Sequence, residues 1–370
     1  MKKAVVIDPN VFIKGIITVL SCWAVLHCVS FGRVVNRRKR VEVPNPLVLI
    51  IYKGNFGNPQ VDGEWFGWGE SSAHSSSEFS FPSGLPSVTF PASGLYSSHD
   101  PSLIRLHLYQ LSQIGVDGIV LQWLHPKRQT DNDNATVGYI DKTMQLLIKC
   151  SHEFNMKVAI QIDEYKDRTS ISVEEDMAYV LSNFANDKSY LRIKGKPVLF
   201  IRDPYKLHNF NFNKNFYVVG SVKKEEHIDD AIECGFDGIY TFHVSEGDTY
   251  CSNILNWEII HEKTFSRGID FFPTVGPGYN KERLDTWSYK LTRKREGFNY
   301  YDRMWNKSID IEPTSIIINS FNDWLEGTSI EPVVSRKGFE LDETNWAGKN
   351  ADSYSFIDRT KYWINIYKKQ

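Results

Sequence analysis

The sequence predicts a (β/α)8 barrel of the TIM type, preceded by an N-terminal membrane anchor segment. Three observations carry that reading. Eight short apolar, β-rich runs recur between Pro46 and Phe321, amphipathic helical patterns separate several of them, and one uncharged stretch of eighteen residues lies near the start of the chain. A length of 370 residues, with 41% hydrophobic and 24% charged residues, suits a globular domain with a large core. The formal net charge of −2 gives no footprint for nucleic acid. Aromatics reach 14%, and such rings either fill cores or stack on sugar faces, the core being the plainer reading for any single ring.

Residues 1–14 form a short tail. "GIITVLSCWAVLHCVSFG" (15–32) carries no formal charge and is near the minimum length for a spanning helix, longer than a typical secretory h-region. A basic linker follows over 33–45. Five basic residues after the apolar stretch against three before it would keep the C-terminal bulk in the cytosol, whereas the sequons at Asn134 and Asn306 argue for the lumen. Of the five cysteines, 22 and 28 lie in the apolar stretch. Cys150, Cys234 and Cys251 read as buried free thiols or at most one bridge.

From residue 46 to 370 the chain reads as one catalytic domain. Its expected strands are "PLVLIIY" (46–52), "GVDGIVLQW" (115–123), "MKVAIQID" (156–163), "PVLFIR" (197–202), "FYVVGSV" (216–222), "FDGIYTF" (236–242), "DFFPTVG" (270–276) and "SIIINSF" (315–321). Most are continuously apolar, as strands covered on both faces must be. Helices are expected over 100–115, opened by Asp100 and Pro101 and closed by Gly115, and over 142–154, 225–235 and 253–268. "SYSFIDRTKYWINIYKK" closes the domain as an amphipathic helix. The fourth and fifth strands stand too close for a full helix between them. Residues 54–99 form a long Gly/Ser/Pro-rich connection after the first strand, which a barrel would hang over its C-terminal face, with 69–88 as a flexible serine-rich insertion.

Barrel enzymes collect chemistry at the C-terminal strand ends. By that rule the third strand delivers Asp163, Glu164 and Tyr165, and the fourth Asp203. The sixth passes through Tyr240, the seventh leads to Tyr279, and the eighth to Asn322, Asp323, Trp324 and Glu326. Asp163 and the Asp323/Glu326 pair then converge on one mouth, with Trp123, Tyr240 and Trp324 as aromatic walls. Paired carboxylates beside a ring-lined cleft are the equipment of glycoside hydrolysis. The competing reading makes Asp323 and Glu326 caps of a following helix. No HExxH motif, nucleophile elbow or complete dinucleotide fingerprint occurs, so neither a metal nor a cofactor is called for. His125 and His243 lie near strand ends but read as satisfied histidines.

Five blocks, "GNPQVDG" (57–63), "LYSSHDPSLIRLH" (95–107), "GFDGIYTF" (235–242), "FPTVGPGY" (272–279) and "SFNDWLEGTSIEP" (320–332), together resemble glycoside hydrolase family 99, from about Pro46 to the C-terminus. The resemblance implies a retaining endo-α-1,2-mannosidase acting beside a glucosylated mannose on an immature N-glycan of a glycoprotein. It also implies a Golgi type II anchor and a lumenal catalytic domain. In that family one carboxylate takes the proton of the substrate's own 2-hydroxyl, which closes a 1,2-anhydro sugar, while a second protonates the leaving group and later activates water. By position Glu326 matches the second carboxylate and Asp323 the first, where relatives show Glu in "FNEWHEG". Asp163 stands where a sugar-binding Glu of "IEPY" is expected, and Gly67 where relatives tend to show His. The expected sugar contacts are Asp163, Tyr165, Trp123, Tyr240, Tyr279, Asn322 and Trp324. A lectin-like paralogue that binds mannosyl glycans without turnover is the alternative, and an exo-acting or inverting glycosidase a third.

Overall fold

The computed structural model describes residues 46–69, 85–128, 138–207, 214–283 and 290–369. The tail, the expected anchor over 15–32, the basic linker, the sequon at Asn134 and most of the serine-rich insertion lie outside the described residues. Among the described residues no helix is long and apolar enough to cross a membrane.

Nine parallel strands form the barrel wall: β1 (Leu47–Lys53), β2 (Gly118–Trp123), β3 (Lys157–Ile162), β4 (Lys196–Ile201), β5 (Tyr217–Ser221), β6 (Gly238–Tyr240), β7 (Asp270–Phe272), β8 (Thr274–Val275) and β9 (Ser315–Ile318). They pair in sequence from β1 to β7, and β9 lies between β1 and β8. Pro273 alone separates β7 from β8. A proline has no N–H to give a ladder, so the eighth staff of the wall is broken into two short pieces there. One piece pairs with β6 and the other with β9, so the sheet comes round nearly closed. The eight expected runs are these strands, the seventh supplying both β7 and β8.

Alternation along each strand sorts the apolar residues into two layers. Leu49, Ile51, Val120, Ala159, Phe200 and Ile317 belong to the cluster inside the barrel. Val48, Ile50, Ile119, Leu121, Ile160 and Ile316 pack outward against the helices. The inner series on β1 runs Leu49, Ile51 and then Lys53, which points the last residue of that strand toward the barrel mouth.

Besides the single turn Pro59–Asp62, the helices among the described residues are α1 (Pro101–Ile114), α2 (Tyr139–Phe154), α3 (Ser170–Asn183), α4 (Glu226–Glu233), α5 (Trp257–Ser266), α6 (Asn299–Asp310) and α7 (Ser355–Tyr367). Helix α1 begins and ends where its signals place it, with the Asp100 side chain accepting from Ser102 N–H and Gly115 left-handed at φ 88°. Helices α3 and α6 escape the sequence reading. On α3 the buried stripe Val173, Met177 and Val180 is blurred by Ile171, which points outward and is 71% exposed. On α6 the buried face is largely aromatic, and no side chain caps its start. Between β4 and β5 the described residues show one 3-10 turn, Pro204–Lys206, as the short spacing requires. Of the three outer cysteines Cys150 and Cys251 are buried free thiols, whereas Cys234 is exposed on the last turn after α4.

The described parts of the long connection after β1, 54–69 and 85–99, do cover the C-terminal side. Phe56, Trp68 and Tyr96 form a ring cluster with centroids 4.3 to 5.7 Å apart. Its return segment pairs Pro91 with Val333, downstream of the last strand. Gly67 sits left-handed at φ +66°, where a Cβ would lie 2.2 Å from the Asn55 carbonyl oxygen, so this loop accepts no histidine in its present path.

Candidate active site

The chain leaves β9 through Asn319 and turns back at once, so that Asn322 to Glu326 sit at the mouth. Asp323 is fixed from both sides. Its N–H donates to Ser320 Oγ at 2.8 Å, and its Oδ1 accepts the Glu326 N–H at 3.0 Å. That second bond is the local geometry of a cap, but the described chain continues into a turn and not an α-helix. The capping role therefore accounts for one oxygen of Asp323 and leaves Glu326 unexplained by local structure.

The other oxygen, Oδ2, faces the ammonium of Lys53 at 3.4 Å, with the Asp323 side chain only 2% exposed. Asn322 ties the two together. Its Oδ1 accepts the Lys53 N–H at 2.7 Å and its Nδ2 donates to the Lys53 carbonyl at 3.0 Å. The end of β1 and the turn after β9 are thus held in register by two main-chain hydrogen bonds from one amide.

Across the mouth, Asp163 follows β3 and Arg202 follows β4. Arg202 Nη1 lies 3.4 Å from Asp163 Oδ1, and the Arg202 guanidinium stacks 3.8 Å over the Phe242 ring. Burial works against the charge of Lys53, yet Asp323, Asp163 and Glu326 together raise its proton affinity above the ordinary lysine value. Arg202 is likewise opposed by burial and held charged by Asp163 and Glu326. Glu326 goes the other way. Burial first, and the neighbouring Asp323 second, push its carboxyl above the ordinary range, against the pull of Lys53, Arg202 and Lys281. Tyr279, half-buried, has its hydroxyl pushed up by burial and then by Glu326 and Asp323.

Three carboxylates, two cations and one phenol thus share one field. A carboxyl whose proton affinity is raised, beside one paired with an ammonium, is an arrangement able to divide the acid and base roles that hydrolysis of an acetal needs. Among the described residues no cluster of His, Cys, Asp and Glu could hold a metal ion.

Several expected sugar contacts are elsewhere. Trp123 is fully buried, its indole N–H donating to Asp141 Oδ1 at 3.2 Å, so it packs behind β2 in the outer layer. Trp324 is also fully buried, with its N–H 3.1 Å from Tyr96 Oη and 3.1 Å from Glu331 Oε2. Tyr240 fills the barrel interior below the mouth and donates to Gln161 Oε1 at 2.9 Å. None of the three has surface to offer as a wall. Asn322 is spent on the Lys53 backbone. Tyr165 commits its hydroxyl to Asp176 Oδ2 and Ser172 Oγ, both at 2.7 Å, and lines a neighbouring cleft of about 530 Å³ with Glu164, Arg168 and Lys206. The structure thus brings Asp163, Tyr279, Asp323 and Glu326 together out of the expected set.

Sequence reasoning missed Lys53 and Arg202. Both stand at strand C-termini, in "LIIYK" and "LFIR", and the strand-end rule finds them once it is applied to cations as well as to acids and rings. Asp203, also at a strand end, is buried and belongs to an ion pair instead, 2.7 Å from the partly exposed Lys223 Nζ. His125 is satisfied locally, its Nδ1 accepting from Lys127 N–H at 3.0 Å. His243 is pushed down to about 4 by burial and by Lys223 and Arg202, and so stays neutral.

The sequence model of a known family, described as Glycosyl hydrolase family 99, matches residues 44–369. Mouse glycoprotein endo-alpha-1,2-mannosidase is 26% identical over 363 residues, covering 89% of this chain and 77% of the relative. A human glycoprotein endo-alpha-1,2-mannosidase-like protein is 27% identical over 319 residues, covering 78% of this chain and 68% of its own length. The GH99 endo-alpha-mannosidase from Bacteroides thetaiotaomicron superposes with a TM-score of 0.75 at 28% identity, over 87% of this chain and 97% of that one.

Proposed function

The chain belongs to glycosyl hydrolase family 99, and on that premise we propose that it is a retaining endo-acting α-mannosidase. Its substrate is an internal α-1,2-mannosidic bond of a glucosylated high-mannose N-glycan on a glycoprotein. The observation that carries this reading is the placement of Asp323, Glu326 and Asp163 around one barrel mouth, with Asp323 paired to Lys53 and Asp163 to Arg202. Glu326, whose proton affinity burial and Asp323 raise, gives a proton to the leaving oxygen. Asp323, which faces the Lys53 ammonium, takes the proton of the substrate's 2-hydroxyl, and O2 attacks C1 as the C1–oxygen bond to the leaving sugar breaks. Water then opens the 1,2-anhydro sugar while Glu326 accepts its proton and Asp323 returns one to O2. Asp163 and Tyr279 hold the sugar.

Relative to a glutamate, aspartate withdraws the carboxylate by about one C–C bond, roughly 1.5 Å. Misplacement on this scale costs on the order of a hundredfold in rate, so turnover is slow unless the turn or the sugar moves inward. On this reading the site faces the Golgi lumen, with residues 15–32 as a type II anchor, and the exposure of Asn306 on α6 fits its use as an acceptor.

A second reading, a lectin-like protein binding the same glycan without cutting it, is favoured by one observation: both oxygens of Asp323 already have protein partners. The experiment that separates them incubates purified protein with glucosylated high-mannose glycan. Release of a disaccharide, slowed at least about a hundredfold by Asp323→Asn, supports the hydrolase. Binding without release, with turnover appearing only in Asp323→Glu, supports the lectin-like reading.

A further inference from the structure

Resting on the mannosidase reading, we propose that Lys53 is a catalytic residue of this chain, whose ammonium stabilises the negative charge developing on the attacking 2-hydroxyl oxygen as Asp323 takes its proton. Three observations converge on this. Lys53 ends the inward-pointing series of β1, so its side chain enters the mouth and not the helical layer. Its Nζ stands 3.4 Å from Asp323 Oδ2, longer than the roughly 2.7–2.9 Å of a close charge-assisted hydrogen bond. That spacing lets one hydroxyl oxygen lie within hydrogen-bond reach of both groups at once. Third, the spacing is built into the backbone: the Asn322 side-chain amide clamps both main-chain groups of Lys53, and Asn322 immediately precedes Asp323 in the chain.

The charges facing the ammonium are Asp323 and Glu326 from the turn after β9 and Asp163 from the end of β3, with Arg202 from the end of β4 opposing them. Lys53 is therefore kept charged and aimed where the oxyanion forms. In the step itself the O2–H bond breaks, its proton goes to Asp323, the O2 electron pair closes onto C1, and the leaving oxygen takes the Glu326 proton. Lys53 neither gains nor loses a proton. Its contribution is a fixed positive charge in a site partly shielded from water, and losing one such donor typically costs about 10²–10³ in kcat.

The test is Lys53→Met in the full chain, a neutral residue of similar length. With the glucosylated glycan, kcat falls about 10²–10³-fold while KM changes by less than about threefold. Lys53→Met combined with Asp323→Asn is no worse than Asp323→Asn alone, since the two act as a unit. A readout free of turnover accompanies these. A cationic hydroxylated piperidine of mannose configuration binds Lys53→Met tighter than the parent chain by about tenfold, whereas neutral α-1,2-mannobiose binds both equally, which also shows that the variant is folded. A kcat within about threefold of the parent, additive losses in the double variant, or an unchanged preference between the cationic and neutral ligands overturns the proposal. If the parent chain releases nothing from the glycan, the hydrolase reading and the catalytic role fall together. The ligand preference then still shows whether the ammonium faces the sugar.

Discussion

Glu331 is a buried carboxylate whose loss should reach the mouth through its hydrogen bonds. Its Oε2 accepts from Tyr96 Oη at 2.7 Å and from the Trp324 indole at 3.1 Å, and its Oε1 lies 3.2 Å from His107 Nε2. His107 Nδ1 in turn meets Tyr52 Oη at 2.9 Å, and Asn322 Nδ2 donates to Tyr96 Oη at 3.2 Å. All of these side chains are buried. Replacing Glu331 by leucine strands the Tyr96 hydroxyl donor, leaves the Trp324 N–H with Tyr96 Oη alone, and removes the carboxylate that faces His107 Nε2. Each stranded buried donor costs about 1–3 kcal/mol, and breaking a buried pair by deleting one member costs about 3–5 kcal/mol. These overlap, so the expected total is about 3–5 kcal/mol. At roughly 2–4 °C per kcal/mol that lowers the melting temperature by about 6–20 °C.

Glu331→Gln behaves differently. Its oxygen keeps the Tyr96 and Trp324 donors, turning the NH2 toward His107, which can answer by moving its proton to Nδ1. The expected cost is then about 1 kcal/mol. Because Asn322 and Trp324 flank Asp323, the leucine variant also loses turnover by about a hundredfold, and the glutamine variant much less. Thermal melting and glycan release measure both quantities. A Glu331→Leu protein melting within about 2 °C of the parent refutes the claim that this network holds the turn.

Glu326→Gln removes the leaving-group acid and should reduce turnover by about 10²–10⁴. Because burial and Asp323 raise the Glu326 proton affinity in the folded chain, the ionised form weakens the fold above its raised folded value and not below the ordinary carboxylate range. The substitution therefore raises the melting temperature at pH 8 relative to the parent and leaves it unchanged near pH 4, and equal effects at both pH values would contradict this. Asp203 shows the opposite sign. Although burial opposes its charge, Lys223 and Arg202 hold it at about 2 against an ordinary 3.8, contributing about 2 kcal/mol that is present above pH 4 and lost as pH falls toward 2. An acid-unfolding profile of Asp203→Asn should lack that component. Gly67→His forces a left-handed backbone costing about 1–3 kcal/mol, besides the clash with Asn55, and chemical denaturation should report at least that loss.

The barrel was legible because its strands are covered on both faces and read as plain apolar runs, interrupted by helix signals as clear as Asp100–Pro101 and Gly115. Helices α3 and α6 were not, since Ile171 spoils one apolar stripe and aromatic crowding disguises the other. At the site, the acids could be placed from the residues at the C-terminal end of each strand. The rings could not, because position in sequence does not say which way an indole faces. Trp123 and Trp324 sit beside functional residues and point into the core, each held by a buried carboxylate. Lys53 was hidden differently: a lysine at a strand end looks like solvent-facing punctuation until Asp323 and Asn322 are seen folded back against it.

The most direct measurement tracks the reaction by proton NMR, with the full chain acting on a glucosylated high-mannose glycan. The mechanism predicts that the first anomeric signal to grow is that of a disaccharide in the α configuration, and that Asp323→Asn slows its growth at least about a hundredfold. A β anomer appearing first, a monosaccharide product, or saturable glycan binding with no new anomeric signal would contradict it.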